Sequence, residues 1–462
     1  MKATHKIVAG VALLAAVYAG SAWYLGKKAE AEIYHQIEQL NAAVATHLAV
    51  NLEESQAKLR VVSYDRHWFS AKINYELVVQ DAEHKHQILF QDHLRHGPLP
   101  LTALGHGHWR PMLAYSELTL LPTDTVQMWF EAAQNQAPLV AKTVIGLDGA
   151  TQSQLDFAAL DYSDAAGNKF TATAAQAQIQ YQSQKEQLQV QADLPSLSWL
   201  EGEDKTQIQL LGTTLESNLS GFSSAQQASA RIQSTQLRMD WGQSTQVVVD
   251  NLKMISDYAL HNELLDSAVQ YDLGQIYIDD HDLGQVVLAV DVKRLDYQVL
   301  NALSQHPDLE QMDEEAIRPY AQKLLAHRPE VNLNQLTLSN PAGTSELVLR
   351  MHLAPTALDE DVSSGIDLAH YVDSLQMQLQ TSRSMIQGYF AEESILSSLA
   401  DMLIARSAEQ LQEVDLVEYD GDALRFALQF DAQSNQLLLN QKPITAEELA
   451  YLIIAMQMGG LF

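Results

Sequence analysis

Apolar residues follow three different patterns along this chain, and each predicts a different element. The first pattern is an unbroken run. Residues 7–25, IVAGVALLAAVYAGSAWYL, hold nineteen positions without a charge, with Lys2 and Lys6 before them and Lys27 and Lys28 after. About 20 apolar residues suffice to cross a bilayer core as one helix. Tyr18, Trp23 and Tyr24 stand near the far end of the run, where an interfacial aromatic belt belongs. A cleaved signal peptide, cut after Ala22 between small residues, is the rival reading. Signal-peptide cores span only about 7–15 residues, so the length favours a retained signal anchor. With six residues ahead of the run, the N-terminus is expected in the cytoplasm and the body outside it.

The second pattern is helical. Ile33, Ile37, Leu40, Val44, Leu48 and Leu52 recur every three or four residues, which predicts a helix from about 29 to 51. It continues the membrane helix outward, either as a stalk or packed on the first domain. The third pattern has a period of two and predicts strands. Segments 58–64, 69–79 (Ala71, Ile73, Tyr75, Leu77) and 84–94 alternate, and Gly97, Pro98 and Pro100 stop the last of them. A strand over 116–121 and a helix over 124–135 follow. From about 139 to 300 the texture is apolar alternating with Gln, Ser, Thr or Ala, as in Gln187-Leu188-Gln189-Val190-Gln191. Gly167-Asn168 and Asp272 to Gly274 supply turn chemistry. Helices are expected over 297–327, limited by Pro307 and Pro319, and over 385–412 as one long helix with Ile386, Tyr389, Leu396 and Leu403 on its apolar face. A final hairpin (424–430 with 436–439) precedes a helix opened by the capping box Thr445-Ala446-Glu447-Glu448.

These elements make an α+β protein: a mainly antiparallel, elongated β-meander with packing helices, plus one N-terminal transmembrane helix. The expected divisions are an anchor over 1–28, a stalk helix with an α+β domain over 29–137, a β-meander over 138–300 and a C-terminal α+β domain over 301–462.

Charge narrows the partners. The formal net charge is −30, and since residues 1–28 carry four Lys and no acid, the rest carries −34. Such a body repels nucleic acid, which needs clustered Lys and Arg. The chain has no Cys, which removes disulfides, thiolate metal sites and Cys nucleophiles together.

Four short blocks resemble the YdgA-like bacterial envelope proteins (domain of unknown function 945). They are Gly20-Ser21-Ala22-Trp23-Tyr24-Leu25-Gly26-Lys27-Lys28, Ser63-Tyr64 followed by Trp68-Phe69-Ser70, Asp92 to Leu101 with its His96-Gly97-Pro98-Leu99-Pro100-Leu101 core, and Leu439 to Pro443 before an acidic-capped helix. The spacing in Asp92-His93 departs from the family, which more often has a shorter acidic-to-His interval. The resemblance implies a membrane-anchored, self-associating protein. It marks Trp23, Tyr24, His96, Gly97, Pro98 and Pro100 as motif positions and supplies no catalytic residue.

Candidate chemistry is sparse. Six His fall between 84 and 108, and the pairs His84/His86 and His106/His108 would each project from one face if extended. Four converging imidazoles could hold Zn²⁺ or Cu²⁺. Solvated polar positions explain them more simply, so no metal, cofactor or catalytic residue is expected. His96 reads as a structural imidazole, and Asp279-Asp280-His281-Asp282 as a strand-connecting turn. The expected function is therefore non-enzymatic: an inner-membrane-anchored, single-pass periplasmic protein that holds the bilayer through residues 7–25 and acts as an interaction or scaffold protein, self-associating or meeting another envelope protein. The alternative is a groove for a lipid or acyl chain on the meander, lined by Leu188, Val190, Ile208, Leu210, Leu237, Met239, Val247 and Val249. A weaker alternative is a metal-linked enzyme built on the histidines.

Overall fold

The computed structural model describes residues 21–38, 41, 56–80, 85–105, 107–221, 226–242, 245–279, 281–304, 314–355, 368–389 and 395–449. The chain divides into two compact units, residues 1–228 and 229–462. Strands of the expected 138–300 meander fall on both sides of that division.

The first unit opens with α1 (residues 21–38). There follow β1 (Gln56–Arg66), β2 (Ser70–Gln80), β3 (Lys85–His96), α2 (Leu101–Gly105), β4 (Ala114–Leu120), α3 (Gln127–Ala132), β5 (Leu139–Ile145), β6 (Thr151–Phe157), β7 (Leu160–Ser163), β8 (Lys169–Ala172), β9 (Ala175–Gln182), β10 (Gln187–Leu200) and β11 (Thr206–Ser220). All pairings are antiparallel, in the spatial order β1-β2-β3-β4-β5-β6-β9-β10-β11. The β7–β8 ribbon prolongs β6–β9, so that β9 and then β8 run beside β10.

Alternation gives the sheet one apolar face, and α1 lies on it. Ala29 and Ile33 of α1 pack with Ala71, Ile73, Tyr75, Leu94, Leu113, Ala114 and Ile145. Of the two expectations for this helix, packing on the first domain is the one observed. The anchor residues 7–20 and residues 42–55 lie outside the described residues. Among the described residues, no helix is long and apolar enough to cross a membrane.

The second unit runs from β12 (Gln227–Trp241), which begins at the division, through β13 (Gln246–His261), β14 (Leu264–Ile278), β15 (His281–Asp296), α4 (Tyr297–Ser304), α5 (Glu314–Ala326), β16 (Glu330–Asn340), β17 (Gly343–Leu353), α6 (Leu368–Tyr371), β18 (Val372–Ser382), α7 (Arg383–Gln387), α8 (Ile395–Glu413), β19 (Glu418–Tyr419), β20 (Ala423–Asp431) and β21 (Gln436–Leu439) to β22 (Lys442–Pro443). Its strands pair antiparallel in the order β13-β14-β15-β16-β17-β18-β20-β21-β22, with β19 also on β20. A core of Leu416, Leu428, Phe430, Leu437 and Leu439 closes its C-terminal end, with Leu411 of α8 packed on it.

Three expectations are corrected here. Over 385–412 the described residues form two helices: α7 stops at Gln387 with Gly388 at its cap, where Asn340 Nδ2 donates to the Met385 carbonyl (2.8 Å), and α8 starts at Ile395. Asp272 to Gly274 lie inside β14, where the register with β15 shifts between Leu273 and Ile276; the turn residues make a bulge instead. Pro319 sits inside α5. It removes one backbone bond there without ending the described helix, which continues to Ala326. The capping box forms as expected, with Glu448 N donating to Thr445 Oγ1 (3.1 Å) and Thr445 N to Glu448 Oε2 (2.8 Å).

Candidate functional site

The pairing registers of the second unit line up apolar side chains across the whole sheet. One row reads Val269, Val290, Leu333, Leu349, Met377, Leu428, Leu439, each opposite the next. Beside it run Val292, Val331, Met351, Leu375, Phe430, Leu437 and, on the other flank, Met254, Tyr271, Leu288, Leu336, Leu347, Leu379, Phe426. The intervening residues of β17, β18 and β20 point the other way and are mostly polar: Glu346 and Arg350, Gln376, Gln378 and Gln380, Arg425 and Gln429, with Val348 and Ala427, both opposite Gln378, the apolar exceptions. A strand's side chains alternate between faces, so this is a two-faced sheet.

Among the described residues the rows are buried at one end and mostly half-buried along the rest. Leu428, Phe430, Leu437 and Leu439 are buried. Toward β14, Val269, Leu288, Val290, Leu333 and Leu349 are only half-buried. Among the described strand residues from Gln246 to Ser382, Val249 is the one buried apolar side chain. Where the rows reach β18 and β20, Leu379 and Phe426 line a cavity of about 360 Å³ under α8, together with Ile386, Ile404, Leu411 and Leu424. Its size falls within the range of small-ligand pockets.

The groove residues expected from the sequence are only partly assembled this way. Leu188 and Val190 lie opposite Leu219 and Ser217, whereas Ile208 and Leu210 lie opposite Trp199 and Leu197. Odd and even positions of β10 face opposite ways, so these four do not line one surface, and that part of the expectation is corrected. Of the eight residues, only Val249 is buried; Ile208 is 39 % exposed and the other six half-buried.

In the first unit a polar cluster sits in the face beneath α1. Asp92 is buried, accepts from Ser116 Oγ at 2.7 Å, and stands 3.4 Å from the Tyr75 hydroxyl. Burial pushes its carboxyl up to about 6, against the pull of both hydrogen bonds. Burial and then the Asp92 charge hold the Tyr75 phenol well above its ordinary range. Burial likewise raises Tyr64, whose hydroxyl finds no hydrogen-bond partner among the described residues. Beside this cluster, His96 Nδ1 donates to the Ala22 carbonyl of α1 at 2.9 Å. Gly26 lies flat on the same imidazole, where a Cβ would come within 2.5 Å of ring atoms.

The sequence family described as "Bacterial protein of unknown function (DUF945)" matches residues 1–447. The chain belongs to the DUF945 family. Among curated DUF945-like relatives, "Protein YdgA" of Escherichia coli (strain K12) is 22 % identical over 95 % of this chain and 94 % of its own length. An "Uncharacterized protein" of Haemophilus influenzae is 32 % identical over 34 % of the chain, which spans less than half of that relative (42 %). "Uncharacterized protein YihF" of E. coli is 26 % identical over 35 % of the chain and 33 % of its own length. No solved structure matches the chain.

The DUF945 motif positions fall on α1 and on the end of β3 with the connection that follows it. His96 is the buried clasp just described. Gly97 has φ 136° and Pro100 is buried, while Pro98 accepts from Met112 N (3.2 Å), which holds the β3–β4 connection closed. Trp23 and Tyr24 lie on the exposed side of α1. The histidine candidates divide differently. His84 and His106 lie outside the described residues. His86 is exposed near the start of β3, and His108 stands beyond the far end of that strand, 6.0 Å from the Tyr115 ring. Ten strand residues separate His86 from His96, about 33 Å at strand rise, so His86 and His108 cannot share an ion. Among the described residues no group of three His, Asp or Glu could hold a metal. Asp279 accepts from Gln246 N at the start of β13 (2.8 Å), and Asp282 makes a local bond from Gly284 N (2.7 Å).

Proposed function

We propose that this DUF945 protein is a non-enzymatic binder of acyl chains, held at the inner membrane by residues 7–25 with its body in the periplasm. The observation that carries the reading is the set of apolar rows in the second unit, half-buried over β14–β17 and ending at an apolar cavity under α8. Aliphatic side chains in adjacent rows, with a polar opposite face, match a long apolar ligand with no hydrogen-bonding demand along its length. Each methylene removed from water contributes about 0.8 kcal/mol, so roughly ten would supply about 8 kcal/mol before ordering costs. The uncharged run at residues 7–25, long enough for a bilayer anchor, supports the reading by tethering the chain to a membrane.

The test is full-length protein purified in mild detergent, with bound lipids and proteins identified by mass spectrometry. Leu333→Gln and Leu349→Gln place amides in the central row, and Gln376→Ala on the polar face is the control. The account expects an acyl-bearing lipid that both row variants lose and the control keeps, with circular dichroism unchanged. Lipid recovered equally from all four proteins would reflect the anchor alone and remove the proposal. Stoichiometric recovery of a protein instead of a lipid would favour the scaffold reading.

A further inference from the structure

We infer that one end of the first unit is a membrane-docking platform, which seats the body against a bilayer containing anionic phospholipid. The inference rests on the anchor reading and adds a second, independent contact with the same membrane.

Strand direction defines this end. β1, β3 and β5 finish there, so the connections 67–69, 97–113 and 146–150 all emerge together. Backbone bonds tie them: His96 N to Phe69 O (3.0 Å), Met112 N to Pro98 O (3.2 Å) and Leu113 N to Ile145 O (2.8 Å). α1 starts at the same end, since Ala22 is clasped by His96, the Arg66 guanidinium lies 5.8 Å from the Trp23 ring, and Lys28 Nζ donates to Leu147 O (3.1 Å). Moving along α1, Glu30 meets Arg66 and Asn41 meets Leu59, so the helix runs antiparallel to β1 and away from this end. The uncharged run, whose last five residues (21–25) are the first of α1, therefore joins the unit here.

Large apolar side chains stand out from these connections into solvent. Leu101 is 83 % exposed, Trp109 73 %, Trp68 65 % and Tyr24 63 %, with Phe69 and Trp23 close behind. Three of the six Trp of the chain, Trp23, Trp68 and Trp109, are here. Single exposed apolar residues are ordinary; six from three separate segments at one end are not, and Trp and Tyr are the side chains that favour the headgroup level. Charge agrees in part. Lys27, Lys28 and Arg110 stand in these segments and Arg66 and Arg95 at the adjoining strand ends, against Asp65, Asp148 and the Glu30 that pairs with Arg66; the 97–113 connection contains no acid, in a chain of net charge −30. A basic, aromatic rim around the entry point of an apolar run complements an anionic bilayer surface.

Because the chain has no Cys, single-Cys variants of the full-length protein can each carry one environment-sensitive fluorophore. Trp68→Cys, Leu101→Cys and Trp109→Cys report the platform, Ala15→Cys the anchor, and Trp129→Cys in α3 the opposite end of the sheet. The labelled proteins are reconstituted into phosphatidylethanolamine–phosphatidylglycerol vesicles with and without brominated acyl chains. The expected result is a blue shift and bromine quenching at 68, 101 and 109, as at 15, with neither at 129. Quenching at 15 with water-exposed probes at 68, 101 and 109 overturns the platform and spares the anchor. Quenching at 68, 101 and 109 without it at 15 supports the platform and removes the anchor. Blue shifts that bromine does not quench mean a protein partner covers this end, which also overturns the inference.

Discussion

Asp92 occupies an apolar face that a carboxylate should avoid, and its surroundings decide its protonation. Burial raises its pKa from 3.8 to about 6, so the folded state holds this proton more tightly than the unfolded chain does. Its contribution is therefore most favourable below about pH 4 and is lost as pH rises through about 6, a change of order 3 kcal/mol. Asp92→Asn should flatten that slope and raise the first unit's thermal stability near pH 7, with little change near pH 4; parallel slopes in the two proteins would show the carboxyl to be unperturbed. Gly26 makes a second residue-scale prediction. A methyl there collides with the His96 ring, so Gly26→Ala should cost about 1–3 kcal/mol, measured by chemical denaturation. Gly105→Ala, where nothing lies within 4 Å of the new Cβ, should leave stability within about 0.5 kcal/mol. Neither environment could be read from the sequence. His96 was legible as structural from its Gly-Pro neighbours, but its partner is an Ala22 carbonyl 74 positions away, and a backbone carbonyl leaves no mark in a sequence.

At the scale of elements, periodicity located β1 to β4 and the final hairpin, because half-buried alternation is a local signal, and marked 139–300 as strand-rich without placing each strand, among them β5 to β8, β14 and β15. It failed where a local rule met a distant partner. Residues 385–412 carry one continuous helical apolar pattern, yet α7 ends at Gln387, with Gly388 at its cap and the Asn340 amide from the β16–β17 turn on the Met385 carbonyl. Asp272 to Gly274 look like a turn in isolation and make a bulge because β13 and β15 flank them on both sides. In β16 the extra residue between Leu333 and Leu336 lets two positions three apart face the same way, which strict alternation forbids. Deleting Gln335 would leave Leu333 and Leu336 two positions apart, which ordinary alternation keeps on one face, so the strand should regularise and the second unit should lose less stability than on Leu333→Gln, as judged by its denaturation midpoint. The cap of α7 is a milder case. Ser382 Oγ accepts from Met385 N at 3.2 Å, and Ser382→Ala should cost about 1 kcal/mol, again read by denaturation.

At the scale of the molecule, the α+β class and the antiparallel meander were legible, and the groove was legible only in outline. Alternation says that each strand has an apolar side; pairing register decides which sides join. That is why Leu188 with Val190, and Ile208 with Leu210, part company, while Leu333, Leu349 and Met377, not singled out from the sequence, form the central row. The first unit covers its apolar face with α1. The second covers part of its face with α8 and leaves the rows half-buried toward β14. The direct measurement is photo-crosslinking in living cells, with a photoreactive amino acid at Leu349 in the central row or at Gln378 on the polar face of full-length protein. The account predicts a lipid adduct at Leu349 and none at Gln378. Equal labelling at both positions, or labelling at neither, would contradict it.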